Sequence, residues 1–295
     1  MQPRIAITLA LLLCSASARA DTLHLANGDT LSGTVVEWAL DYVVLEHPQL
    51  GKVRLSLDQL TVDREDPPTP GFFGSSFMRG WNRRIDLGWN GKQGNSESIN
   101  ITGGLNFNYR DEFKRWRLNG RYFFQGDEDG TTDNNANVSL RRDWLFPGRR
   151  WFAFASTRYQ FDEFESWEHR TSTSVGPGYN IVKREKLSLD GRVGATFTRE
   201  FGERNDRKAD ALFGLDFEWQ IGELISFNFT NDLYLEAQPN AGEIRNLTIS
   251  EATLAITEKP DLKFVAGITN EYETNIEPGD KKNDFKYYLT LGLGF

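Results

Sequence analysis

From Trp81 onward, apolar and polar residues alternate with a period of two, the signature of strands with one apolar face. The last segment shows it best. Phe285, Tyr287, Leu289, Leu291, Leu293 and Phe295 share one face, and Asp284, Lys286, Tyr288, Thr290, Gly292 and Gly294 share the other. Ile225, Phe227, Phe229, Leu233 and Leu235 stand against Ser226, Asn228, Thr230, Asp232 and Glu236 in the same way. Ala211, Phe213, Leu215, Phe217 and Trp219 stand against Asp210, Gly214, Asp216 and Glu218, and Ile99, Ile101, Leu105 and Phe107 against Asn100, Thr102, Asn106 and Asn108. Two stretches are less regular. Around Leu247–Thr257 the phase slips, with Ile249 on one parity and Leu254 and Ile256 on the other, which predicts a β-bulge. Phe152 and Phe154 share a parity with Arg158 and Asp162, so one end of that polar face is apolar.

Turn residues divide this region into strands near 81–90, 96–109, 115–125, 134–145, 151–164, 169–181, 186–200, 207–219, 224–236, 247–258, 262–273 and 283–295. That makes twelve, an even number, and the connections alternate between brief and longer. The brief ones are 110–114, 146–150, 182–185, 220–223 and 259–261. The longer set is 126–133, 165–168, 201–206, 237–246 and 274–282, with the short 91–95 first. Even strand number, short turns on one rim and longer loops on the other predict an all-β, transmembrane, antiparallel up-and-down barrel over 81–295. The competing architecture is a soluble sandwich or lipocalin-like barrel, with the apolar face inward. Long strands, charges of both signs on the polar faces and the terminal alternating series favour the membrane barrel. Tyr287, Leu289, Leu291, Leu293 and Phe295 resemble the C-terminal signal read by barrel-assembly machinery. Gly292 lies closer to the end than that pattern usually has its glycine.

Upstream, the chain reads as a leader and a small module. Arg4, the apolar run Ile5–Cys14 and the small-x-small Ala18-Arg19-Ala20 before Asp21 form a secretory signal peptide over 1–20, cleaved before Asp21. The apolar run is about ten residues, too short to span a bilayer. Residues 21–66 predict about five short strands, at 22–25, 31–37, 42–47, 51–55 and 60–63, as a small SH3- or Sm-like β-module in the periplasm. Asp66-Pro67-Pro68-Thr69-Pro70-Gly71 breaks regular structure, so 67–80 reads as a linker.

Composition narrows the chemistry. Cys14 is the only cysteine of the 295-residue chain and falls in the leader, so no disulfide framework or thiolate metal site is expected. Without the leader, 32 basic residues face 42 acidic ones, which disfavours nucleic acid as a partner. No cofactor, metal site or catalytic residue emerges. The expected partners are outer-membrane lipid and, during biogenesis, the assembly machinery.

Short motifs carry a family resemblance. Gly80-Trp81, Leu87-Gly88-Trp89, Gly94-Asn95-Ser96 and the Arg-Arg-Asp-Trp-Leu-Phe stretch at 141–146 resemble, in order and spacing, the domain of unknown function 481 family. The resemblance spans roughly 72–295 and implies an outer-membrane barrel of a family that includes salt-induced proteins. It brings no catalytic residues to carry over.

The candidate functional residues are the charges expected inside the barrel. Arg117, Arg121, Arg141, Arg158, Arg170 and Arg192 lie on strands from 115 to 192. Asp210, Asp216, Glu218, Asp232, Glu236 and Glu271 lie on strands from 210 to 271. Asp86, Asp190 and Lys286 share the same faces. Closed into a ring, the two groups face each other. That is either a transverse field in a pore or binding cavity, or a plug of mutual salt bridges. The expected function is thus a narrow channel or small-solute binder, with a structural envelope barrel as the alternative. A lipid hydrolase needs a Ser–His pair, and the only barrel histidine is His169, with no serine set beside it by the alternation. Asp127-Glu128-Asp129 and Asp133 read as a solvated acidic external loop.

Overall fold

The computed structural model describes residues 21–25, 29–38, 42–56, 59, 71, 75, 77–93, 97–203, 205–276 and 281–295. The signal-peptide residues, including Ala18 and Ala20, the strand expected at 60–63 and most of the linker lie outside the described residues. The chain divides into two compact units, Met1–Pro68 and Thr69–Phe295.

In the first unit, β1 (Asp21–His24), β2 (Thr30–Trp38), β3 (Tyr42–His47) and β4 (Gly51–Ser56) form a four-stranded antiparallel meander. Alternation explains its packing. Val43, Leu45 and Leu55 are buried on one face, with Leu23, Leu25, Leu31, Val35 and Val53 packed around Val43 and Leu55. The β3–β4 turn is closed by His47 Nδ1, which accepts from the N–H groups of Gln49 (3.1 Å) and Leu50 (3.2 Å).

The second unit is a closed barrel of twelve antiparallel strands joined in sequence order. They are β5 (Asn82–Lys92), β6 (Ser98–Arg110), β7 (Lys114–Asp127), β8 (Gly130–Leu145), β9 (Trp151–Asp162) and β10 (His169–Arg184). Then follow β11 (Leu187–Phe201), β12 (Arg207–Ile221), β13 (Ile225–Gln238), β14 (Ile244–Thr257), β15 (Asp261–Glu273) and β16 (Asn283–Gly294). Closure lets every strand pair on both sides, which removes open sheet edges. The closing seam is the shortest ladder. β16 pairs with β5 over four residues, Leu291–Gly294 against Arg84–Leu87, whereas every other ladder holds at least eleven pairs.

The strands are up to 16 residues long, and one rim carries only short turns, 111–113, 146–150, 185–186, 222–224 and 258–260. The opposite rim carries 93–97, 128–129, 163–168, 202–206, 239–243 and 274–282. One of these is shorter than the sequence suggested. Asp127 pairs with Gly130, so β7 and β8 run on into a two-residue turn instead of an eight-residue loop. Gly130 adopts φ 134°, which a side chain would resist.

The bulge expected within 247–257 falls at the far end of that stretch, where β14 shifts register against β15 between Ala255 and Thr257. β13 and β14 stay in unbroken register from Ile225↔Leu254 to Leu235↔Ile244. Leu247 (2% exposed) and Ile249 keep the inward parity of Arg245, Glu251 and Thr253, so apolar side chains on the inner face had mimicked a slipped phase.

The two wall faces have inverted chemistry. Outward, Ile85, Leu87, Val175, Val193, Phe213, Leu215, Leu254, Leu289, Leu291 and Leu293 stay exposed although apolar. Trp144, Trp151 and Trp219 crowd the short-turn side of this belt, and Trp89, Tyr122, Tyr159, Tyr272 and Tyr287 the long-loop side. Inward, arginines and carboxylates are buried, Arg170, Asp86, Asp143 and Glu200 each at 1% exposure.

Candidate functional site

The period of two points one residue in two of each strand into the lumen, and β7–β11 contribute mainly arginines where β12–β15 contribute carboxylates. Closure brings these walls together. Arg192 on β11 binds Asp216 of β12 through Nε (2.8 Å) and Asp232 of β13 through Nη2 (2.8 Å). Arg141 on β8 reaches Asp216 at 2.8 Å, and Arg158 on β9 reaches Asp232 at 3.1 Å. Arg117 on β7 contacts Glu218 and lies 3.8 Å from Asp216. Two aspartates thus gather four arginines from four strands at the middle of the barrel. Arg170 on β10 binds Glu200 (2.9 Å), Glu271 (3.2 Å) and Glu273 (2.7 Å). Arg121 meets Glu251 at 3.0 Å and Asp86 at 3.4 Å, and its guanidinium lies 4.1 Å from the centre of the Tyr288 ring.

Every sequence-selected lumen residue therefore lies on the inner wall. Asp210 accepts from Thr198 Oγ1 (3.1 Å), and Glu236 from the N–H of Asn240 (2.9 Å), both toward the long-loop rim. Lys286 lies 3.4 Å from Asp133, so that aspartate belongs to the lumen and not to an external acidic loop. The alternation also supplies members that sequence reading passed over. Arg115 has the parity of Arg117, and Asp143 that of Arg141. Arg115 Nε binds Asp143 (2.6 Å), and its Nη2 binds Asp190 (2.7 Å). Arg84, Glu251, Glu200, Glu273, Lys208 and Arg245 were legible by the same rule but sit at strand ends or beside the irregular stretch of β14.

Apolar and small residues shape the lattice. Phe152, Phe154, Leu212 and Tyr234 form a buried cluster inside the lumen, with Leu145 packed against it. The ring of Phe152 lies directly over Gly178, so a methyl there would meet it. Gly214 makes room for Arg192, whose guanidinium carbon would stand 2.7 Å from an added Cβ.

Charge is unevenly spread along the axis. Glu200, Asp210, Glu236, Glu243 and Glu273 line a small cavity near the long-loop rim, against only Lys208 and Arg245. Beyond it, in the loop 163–168, burial and the neighbouring carboxylates of Asp162 and Glu273 push Glu165 up to about 7. At the opposite rim, burial pushes Asp111 up, but the N–H groups of Phe113 and Lys114 and the Tyr109 hydroxyl outweigh it and hold the carboxyl below its ordinary value.

Among the described residues, His169 pairs with no serine. Its Nδ1 lies 2.9 Å from the Tyr159 hydroxyl, and Nε2 lies 3.6 Å from Glu168.

Long antiparallel strands, closure, an apolar outer wall and an ionic interior define an inside-out β-barrel. The sequence pattern of a family described as "Protein of unknown function, DUF481" matches residues 85–295, and the chain belongs to that family. No curated protein matches. Among solved structures, the barrel is similar to the NanC porin (10% identity, TM-score 0.41, covering 72% of this chain and 98% of that one). It is also similar to the COG4313 outer membrane channel from Pseudomonas putida F1 (10% identity, TM-score 0.44, covering 73% and 95%).

Proposed function

We propose that this chain is an outer-membrane barrel whose lumen is closed at rest by its own arginine–carboxylate lattice. The observation that carries this is the pair Asp216 and Asp232, which tie Arg141, Arg158 and Arg192 from three other strands across the bore. Membrane location is supported by the exposed apolar outer wall with aromatic residues toward both rims. Short turns then face the periplasm, with the first unit and Phe295, and assembly machinery and lipid are the partners. The general-porin reading loses support because Arg141–Asp216 and Arg158–Asp232 bridge the centre of the bore. Non-hydrolytic function fits His169, whose ring nitrogens lie against Tyr159 and Glu168.

The test is conductance in planar bilayers. The wild type stays silent or opens rarely, and Asp216→Ala combined with Asp232→Ala raises the open time. Stable wild-type steps of the size of a water-filled pore would contradict closure.

The cavity near the long-loop rim favours a second reading, a gated path or binding site for small cations. Five carboxylates against two cations set its sign. If the opened variant conducts, it prefers cations, and Glu236→Gln weakens that preference.

A further inference from the structure

The apolar chemistry of the outer wall breaks most extensively on β13–β15. Thr230 and Asp232 bond into the lumen, to Asp216 and to Arg158 and Arg192, so Asn231 between them points outward. It stands between Phe229 and Leu233 on that face and is paired with Leu215, near the middle of β13. On β14, Leu247 and Glu251 face inward, so Asn246, Thr248 and Ser250 face outward beside it. On β15, Glu271 bonds inward, so Asn270 faces outward between Ile268 and Tyr272. Four polar side chains and Asn270 thus form a strip across β13–β15, and Asn283 of β16 extends it to the rim.

Its internal bonds are partial. Asn231 Nδ2 donates to Asn246 Oδ1 (2.7 Å) and to Thr248 Oγ1 (2.8 Å). Asn270 Nδ2 donates to Asn283 Oδ1 (2.8 Å) and to the Asp284 carbonyl (3.2 Å). A primary amide carries two N–H donors and two acceptor lone pairs, so much of this capacity is left over. Hydrocarbon offers it nothing, and polar groups facing lipid without partners are costly. The neighbouring β11–β12 wall, with Val193, Phe197, Phe213 and Leu215 exposed, carries no such strip.

We infer that the β13–β15 strip is the contact face for a second copy of this chain. This rests on the membrane reading, since in water an outward asparagine needs no partner. The occupant follows from the chemistry. The strip is uncharged, so it lacks the basic groups that would hold lipid phosphates. Amides are donors and acceptors at once, so the strip is complementary to itself about a two-fold axis, as an isologous contact requires. Phe229, Leu233 and Ile268 beside it supply apolar contact around the polar centre. Two barrels meeting here satisfy in each other the groups that lipid leaves bare.

Cysteine cross-linking tests this, because the only cysteine of the chain is Cys14, in the expected leader. Ser250→Cys in the full chain, oxidised briefly in its native membrane, is expected to give a disulfide-linked homodimer. Val193→Cys on the other wall is the control and stays monomeric. Asn231→Leu with Asn270→Leu suits lipid better than the wild type, so folding is not threatened. It is expected to weaken self-association in detergent or nanodiscs about tenfold, the scale of one or two polar contacts in a membrane. Heat-modifiable migration is read on each sample. If it is retained while Ser250→Cys gives no homodimer, or while the double variant associates as the wild type does, the inference is overturned and the membrane reading stands. A cross-link from Ser250→Cys to a different protein also overturns it. Loss of heat-modifiability in the wild type would instead remove the membrane reading itself.

Discussion

The inner and outer walls of the barrel are made by the same strands and obey opposite rules. Inward, Arg170, Asp143 and Glu200 are almost wholly buried. Outward, Leu289 is 63% and Tyr287 79% exposed. In a water-soluble barrel the two faces would be exchanged. The inversion shows which solvent each face was built for. Buried ions survive inside because Arg115, Arg141, Arg158, Arg170 and Arg192 each meet a carboxylate, whereas leucine outside gains only if lipid replaces water.

The lattice is where the comparison breaks most sharply. Asp216→Ala leaves Arg141 and Arg192 without their shared acceptor, and losing one partner of a buried ion network costs about 3–5 kcal/mol. Thermal unfolding of the purified barrel is expected to show that loss, whereas Leu291→Ala on the outer wall shows much less. Next comes the outer wall itself. Leu289→Arg near the bilayer midplane is expected to cost about 2–4 kcal/mol, read as a lower heat-modifiable fraction after refolding into vesicles. On a soluble barrel the same change at an exposed site would stay within about 0.5 kcal/mol.

These walls were legible to different degrees. The apolar faces follow from period two, and strand length, the charges on the polar faces and the terminal series assign them to the outer wall. The inner wall was legible as a set of residues but not as a set of bonds. Which arginine meets which aspartate depends on register and curvature across strands far apart in sequence, as with Arg141 and Asp216. Apolar residues inside the lumen misled the alternation. Ile249 looked out of phase with Leu254 and Ile256 because nothing local distinguishes an inner apolar residue from a lipid-facing one, although β14 does shift register against β15 between Ala255 and Thr257. Asn231 went unremarked for the converse reason, as a polar residue within an apolar face. The two-residue turn at Glu128–Asp129 was missed because polar residues flanking it, such as Thr131, Thr132 and Asp133, continue as strand.

The smallest expected effect lies at the loop edge of the lattice. Glu165 binds its proton more tightly when folded, so the loop 163–168 is most stable below the ordinary glutamate value of 4.5 and loses that stability as pH rises to about 7. Hydrogen exchange in this loop is expected to quicken between pH 5 and pH 8 beyond the intrinsic rate, and Glu165→Gln is expected to flatten the change.

The most direct test of the inverted walls is quenching of tryptophan fluorescence by lipids brominated on their acyl chains. Trp89, Trp144, Trp151 and Trp219 project from the outer wall. Refolded into such vesicles, the protein is expected to lose much of its tryptophan emission relative to unbrominated lipid. Emission that is unchanged by bromination, from a folded barrel, would contradict the account.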